Sequence, residues 1–244
     1  VGTYEIKEIS APTGYLLNSQ WKQTFSVTAD KKDHCFSYAD GTGCPDTVIT
    51  GKIQITKKIV NTIDNLNAAE VGAKFSVADK NGTVVDTITT GENGIGISKN
   101  LPYGTYTIKQ ISGQAGTIFC ESWTVTVNEH AKVYEYSKEN PLWTASVSLH
   151  KKEAGVETPL VGTFELCERM ADGTVKVLET GNTNAEGNLP FTRKIVYTDG
   201  VCNKSTYFIR EKVAPAGYVL DTKEYPVSCT ENEQKISVTM ENAP

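Results

Sequence analysis

The feature that most restricts this chain is a repeat. Gly2-Thr-Tyr-Glu-Ile-Lys-Glu8, Gly104-Thr-Tyr-Thr-Ile-Lys-Gln110 and Ser205-Thr-Tyr-Phe-Ile-Arg-Glu211 align residue for residue. Their tyrosines, Tyr4, Tyr106 and Tyr207, recur at intervals of about a hundred residues. After the first and third copies the match runs on through Ala-Pro-x-Gly-Tyr, at 11–15 and 214–218. A second series, Lys52-Ile-Gln-Ile-Thr-Lys57 and Ser146-Val-Ser-Leu-His-Lys151, precedes the later two copies. Between the two series lie Gly72-Ala-Lys-Phe75 and Gly162-Thr-Phe164, then turn clusters at 91–94 and 184–187. The order implies modules of one kind at 51–141 and 142–244. Residues 1–45 correspond to the C-terminal half of another, whose front half is expected upstream of Val1 or on another chain.

Within each module the hydrophobic period is two. Val147, Leu149 and Lys151 fall on one face of a strand, as do Tyr207, Ile209 and Glu211, and Val238, Met240 and Asn242. Short Thr/Val/Ile/Tyr-rich runs alternate with turn signals such as Asn81-Gly82 and Asp172-Gly173. No amphipathic helix of useful length is present. The expected fold is all-β: tandem immunoglobulin-like β-sandwiches of roughly seven strands each. A hydrophobic content of 39 % suits several thin cores and leaves no run long enough for a membrane span. The net charge of −5, with both signs interspersed, offers no basic face to nucleic acid.

The six cysteines include no CxxC pair, and with three scattered histidines they give no zinc-site spacing; neither a metal nor a cofactor is expected. The short interval between Cys35 and Cys44, holding Gly41 and Gly43, favours a disulfide there and an oxidising, extracellular setting. Buried free thiols are the alternative.

Strand parity has an awkward consequence. If Val147 and Leu149 face the core, so does Lys151, and Glu211 and Asn242 turn inward by the same rule. Three such polar groups in one core are costly unless they meet. Burial lowers the pKa of a lysine and raises that of a glutamate, which favours a neutral amine beside a neutral acid. The amine is then a nucleophile, and the acid can polarise a carboxamide and carry protons. Attack of Lys151 Nζ on Asn242 Cγ would expel ammonia and leave an amide cross-link.

The segment 207–218, Tyr-Phe-Ile-Arg-Glu-Lys-Val-Ala-Pro-Ala-Gly-Tyr, resembles the E-box of Gram-positive pilins. With the Lys151 strand and the closing Met-Glu-Asn242, it is similar to the collagen-binding-protein B-type (CnaB-type, SpaA-like, prealbumin-like) domain family. That resemblance implies an intramolecular Lys–Asn or Lys–Asp isopeptide bond promoted by Glu211. It also implies stacking with neighbouring domains or subunits of a pilus shaft or adhesin stalk on a Gram-positive cell wall. In the middle module Lys57 and Asn140 occupy the cross-linking positions, but Gln110 replaces the glutamate. That module either lacks the bond, forms it slowly or recruits another acid. Lys138, on the expected inner face of its closing strand, is a further irregularity. In the first module Glu8 fits the acid position and Asp40 the acceptor, with Asp46 as runner-up.

Two other functions compete with the stalk. A ligand-binding adhesin module contacting a host surface could use the Cys35–Cys44 insertion and the loops around Trp21, Trp123 and Trp143. A transthyretin-like hydrolase would need convergent histidine and arginine residues, and Arg169, Arg193 and Arg210 have no histidine motif beside them.

Overall fold

Alternation along the first strand of each module decides what enters its core. In Thr50–Asn61 every second residue from Gly51 to Asn61 is buried, and in Thr144–Glu153 the same holds from Ala145 to Lys151. The computed structural model describes residues 1–200 and 202–243, and these form strands and no helix. Pro244, the expected last residue of the final module, lies outside the described residues.

The middle module is a sandwich of two sheets. Thr50–Asn61 runs through the centre of one, antiparallel along one edge to Leu101–Pro102, Ile95–Ile97 and Leu66–Ala69 in succession. Along its other edge it runs parallel to the closing strand, Val133–Pro141. The facing sheet is ordered Trp123–Val127, Gly104–Ser112, Lys74–Ala78, Val84–Thr89. The last module repeats the plan. Thr144–Glu153 is flanked by Asn188–Pro190 and Ile195–Val196 on one edge and by the parallel strand Gln234–Asn242 on the other. Its facing sheet is ordered Val175–Asn182, Thr163–Arg169, Thr206–Val213, Tyr225–Val227.

Inward residues of the two sheets build one core per module. Ile53, Ile55, Phe75, Val77, Ile108 and Val125 fill the middle one, and Val147, Leu149, Phe164, Leu166, Ile209 and Met240 the last. Each such side chain contributes about 1.5–3 kcal/mol by leaving water. The two modules are also packed together. Ile59 and Leu142 join the last module's core, Arg193 pairs with Asp64, and the Cys202 thiol donates to the Ile59 carbonyl at 3.3 Å.

The first module is thinner. Gly2–Lys7 pairs antiparallel with Lys22–Val27, and Tyr15–Leu16 with Thr47–Val48. Phe25 gathers Tyr4, His34 and Phe36 around itself, at centroid distances of 5.9, 4.8 and 5.5 Å, while Tyr4, Ile6 and Leu17 stay exposed.

Two expectations for this module are corrected. Phe36-Ser-Tyr-Ala-Asp40 alternates like a closing strand yet forms none. The Asp40 carboxylate instead caps a turn, accepting from the Ser37 and Thr42 amides at 3.3 and 3.0 Å and from the Thr42 hydroxyl. Its pKa is lowered by those Thr42 and Ser37 contacts. Nor do Cys35 and Cys44 form a disulfide. Both are free thiols: Cys35 is exposed, and Cys44 is half-buried, donating to Asp46 at 3.8 Å. The remaining four cysteines are free as well.

One local device recurs in both complete modules. Gly94 and Gly187 sit at φ of 70° and 75°, and their carbonyls accept the amides of Lys57 and Lys151 at 2.7 and 2.8 Å. A Cβ at either glycine would run into the carbonyl oxygen of that same lysine. Gly173 has φ 87° but open space around it. Gly173→Ala should therefore cost only the left-handed strain, about 1–2 kcal/mol. Gly187→Ala should lower the urea midpoint at least twice as far, because it also displaces the Lys151 strand. Equal shifts in the two variants would contradict this reading.

Candidate functional site

Parallel pairing of first and last strands sets the geometry of the site. Lys151 lies opposite Met240, so Asn242, two residues on, returns to the same inner face. In the middle module Lys57 lies opposite Lys138, and Asn140 stands in the same relation to it. From the facing sheet, Glu211 is paired with the core residue Phe164, and Gln110 with Phe75. Immediately after each comes a one-residue irregularity in register, at Lys212 and Ile111. Bulges of this kind re-aim a neighbouring side chain and sharpen the local twist.

In the last module the three groups meet. Lys151, Glu211 and Asn242 are all buried, Lys151 completely. The Lys151 ammonium donates to Asn242 Oδ1 and lies 3.3 Å from Glu211 Oε1. Asn242 Nδ2 donates to Glu211 Oε1 and Oε2 at 3.1 and 3.2 Å and to the Val219 carbonyl at 3.1 Å. Glu211 is steadied by the Asp221 amide, 2.7 Å from Oε2. The Phe164 ring forms a wall 5.7 Å from Lys151 Nζ. Burial pulls the lysine pKa below its ordinary value, against the opposing pull of Glu211. The arrangement holds an amine against a carboxamide, with a carboxylate touching both.

In the middle module the pieces are redistributed. Gln110 Oε1 faces the Cys120 amide and thiol, both at 3.4 Å, and touches neither Lys57 nor Asn140 through any hydrogen bond. The carboxylate comes from Glu70, a residue the sequence reading passed over. Its Oε2 lies 3.7 Å from Lys57 Nζ and accepts from Asn140 Nδ2 at 3.0 Å; its Oε1 accepts the Gln114 amide at 2.7 Å. Lys57 is fully buried and Glu70 is 1 % exposed. Burial lowers the Lys57 pKa, opposed by Cys120 and Glu70. Asn140 Oδ1 accepts the Cys120 amide at 3.0 Å. Lys138 is only half-buried, its ammonium 4.2 Å over the Trp123 ring, which accounts for a lysine at that parity.

In the first module Glu8 Oε2 accepts the Asn18 amide at 2.6 Å. That amide is ten residues on, as Asp221 is from Glu211 and Cys120 from Gln110. Asp40 does not reach this carboxylate by any hydrogen bond. Around Glu8 stand Cys44 and Asp46, the potential ligand atoms of all three lying within 4.8 Å of one another.

A profile of the SpaA family, described as a prealbumin-like fold domain, matches residues 1–40, 51–141 and 145–244. The chain belongs to this family. Among solved structures, the Bacillus anthracis TIE protein aligns over the whole of this chain at 23 % identity and a TM-score of 0.73; this chain spans 42 % of that one. Shaft pilin SpaA from Lactobacillus rhamnosus GG aligns at 14 % identity over 80 % of this chain and 98 % of its own, with a TM-score of 0.34. A streptococcal ancillary pilin does so at 20 % identity over 99 % and 74 %, also at 0.34. No curated protein matches the chain.

The tryptophans of these SpaA domains do not share a groove. Trp21 donates to the Thr42 carbonyl, Trp123 packs between Phe75 and Tyr136, and Trp143 lies against Tyr197, each half-buried. The arginines are likewise separate: Arg169 pairs with Glu224, Arg193 with Asp64 and Arg210 with Glu165.

The lowered lysine pKa has a measurable consequence in an unlinked chain. Between that lowered value and the ordinary 10.5, the unfolded state binds more protons than the folded state, so stability rises with pH. Asn242→Ala keeps Lys151 unlinked. Relative to Asn242→Ala/Lys151→Met, it should gain stability as pH climbs towards 10.5 and level off above it, read by urea titration at successive pH values. A difference that is independent of pH would contradict the assignment.

Proposed function

We propose that this chain is a structural segment of an extracellular surface stalk or pilus shaft, and that its last module is locked by an amide bond between Lys151 and Asn242. The observation that carries this reading is the buried contact of Lys151, Glu211 and Asn242 across the first and last strands. Proton transfer from the ammonium to Glu211 frees the Nζ lone pair. The amine attacks Asn242 Cγ, and Glu211 hands a proton to the carboxamide nitrogen. The Cγ–Nδ2 bond then breaks and ammonia leaves, while the second Nζ proton passes to Glu211, so that Nζ–Cγ remains as a neutral secondary amide. Enforced proximity in a dry core supplies the rate, since the reacting atoms need no diffusional encounter. The reaction is a single self-directed event and turns over no external substrate.

The location of the bond suits a load-bearing element. First and last strands are parallel, so tension along the chain would shear one past the other. A covalent tie between them removes that route and constrains the unfolded chain, much as a disulfide does. The close packing between middle and last modules is consistent with a stiff rod. Membership of the SpaA family fits the same setting, with neighbouring domains or subunits of a fibre as partners and a Gram-positive surface as the location. Separation of the three tryptophans speaks for a stalk and against a ligand-binding groove built on them.

Intact mass of the reduced chain, followed by peptide mapping, tests the bond. The wild-type peptides carrying Lys151 and Asn242 should be joined, with the loss of one ammonia. Glu211→Ala should leave them separate while circular dichroism still reports β-structure. Unjoined peptides in the wild type, or joined ones in the variant, would overturn the reading.

A further inference from the structure

The middle module carries a rewired version of the same centre. Glu70 and Leu160 are structural equivalents. Each donates its amide to the carbonyl of the core lysine, Lys57 or Lys151, at 3.0 Å. Each accepts a threonine hydroxyl on its own carbonyl, from Thr90 at 2.6 Å and from Thr183 at 2.8 Å. Each is followed by Val-Gly. Where the last module has a core leucine at this position and a glutamate at 211, the middle one has a glutamate at 70 and a glutamine at 110. The carboxylate has moved from the facing sheet to the residue after strand Leu66–Ala69, yet it reaches the same two groups, Lys57 Nζ and Asn140 Nδ2.

We propose that Glu70 is the proton-transfer group of a second cross-link, between Lys57 and Asn140, in the module that lacks the usual glutamate. The chemistry rests on the reading of the last module, but the bond lies on different peptides. Glu70 Oε2 takes a proton from the Lys57 ammonium. Nζ attacks Asn140 Cγ, and the Cys120 amide, already 3.0 Å from Oδ1, donates to the oxygen as it gains negative charge. Glu70 returns the proton to Nδ2, the Cγ–Nδ2 bond breaks, ammonia departs, and Glu70 takes up the second Nζ proton as the neutral amide forms. Gln110 has no proton to exchange and serves to hold the Cys120 segment, accepting from both its amide and its thiol. An unlinked Lys57–Glu70 pair would be a fully buried ion pair beside a polar carboxamide, a costly arrangement for a core. Conversion to a neutral amide beside a protonated Glu70 removes both charges.

The test uses the full chain and peptide mapping under reducing conditions. The wild type should lose two ammonias in all, one of them joining the Lys57 peptide to the Asn140 peptide. Glu70→Gln, which keeps the shape of the side chain but only one of its two acceptor oxygens, should lose only the ammonia of the last module. Transfer of the acid back, in Glu70→Gln/Gln110→Glu, should restore the second loss. In each variant the Lys151–Asn242 linkage serves as an internal control, so a failure of one centre is distinguished from a failure of both. A wild-type chain with separate Lys57 and Asn140 peptides would overturn the proposal. So would a Glu70→Gln chain that still joins them, or a double variant that is folded by circular dichroism and remains unlinked.

Discussion

The parallel pairing of first and last strands is the constraint from which the rest follows. It places a lysine in mid-strand on the inner face and an asparagine two residues past its partner on that same face, in both complete modules. Backbone groups satisfy part of each, at the Lys58 and Val219 carbonyls and the Cys120 amide, but leave a buried ammonium without a counter-charge. That ammonium demands a carboxylate, and the facing sheet or an adjoining segment must deliver one. The bulge at Lys212 and the Asp221 amide serve that delivery in the last module, while the left-handed glycines at 94 and 187 hold the lysine strands.

Comparison of the two complete modules shows what the fold holds constant. The lysine and asparagine keep their register, while the acid moves between two positions on different elements. Leu160 and Gln110 are the residues left where the acid is not: one a simple core side chain, the other a neutral amide engaged with Cys120. Under the proposed chemistry, two changes that would each damage the centre alone compensate when made together, because that chemistry requires a carboxylate at one point in space and not at one point in the chain.

Much of this was legible in strand parity. The inward direction of Lys57, Lys151, Glu211 and Asn242 follows from alternation with their apolar neighbours, and the departure at Gln110 stands out once the repeats are aligned. Glu70 escaped because it follows a short strand, Leu66–Ala69, with no clear alternation to read, and its direction is set by a hydrogen bond to Lys57. The signal was present nonetheless, in Glu-Val-Gly at 70–72 against Leu-Val-Gly at 160–162. Asp40 misled for the opposite reason. Its segment alternates like a strand, but an aspartate two residues before a threonine finds nearby amides first, and the turn wins. Sequence spacing between Cys35 and Cys44 likewise does not set the geometry a disulfide needs, and both thiols stay free.

The central claim is mechanical, so pulling on single molecules by their two ends tests it most directly. With Lys151 joined to Asn242, load passes across the bond and the loop between them is shielded, so the last module should contribute no unfolding step. Glu211→Ala should add one, with a length on the order of 300 Å for the released loop at about 3.3–3.6 Å per residue. A step of that size from the wild-type module would contradict the account.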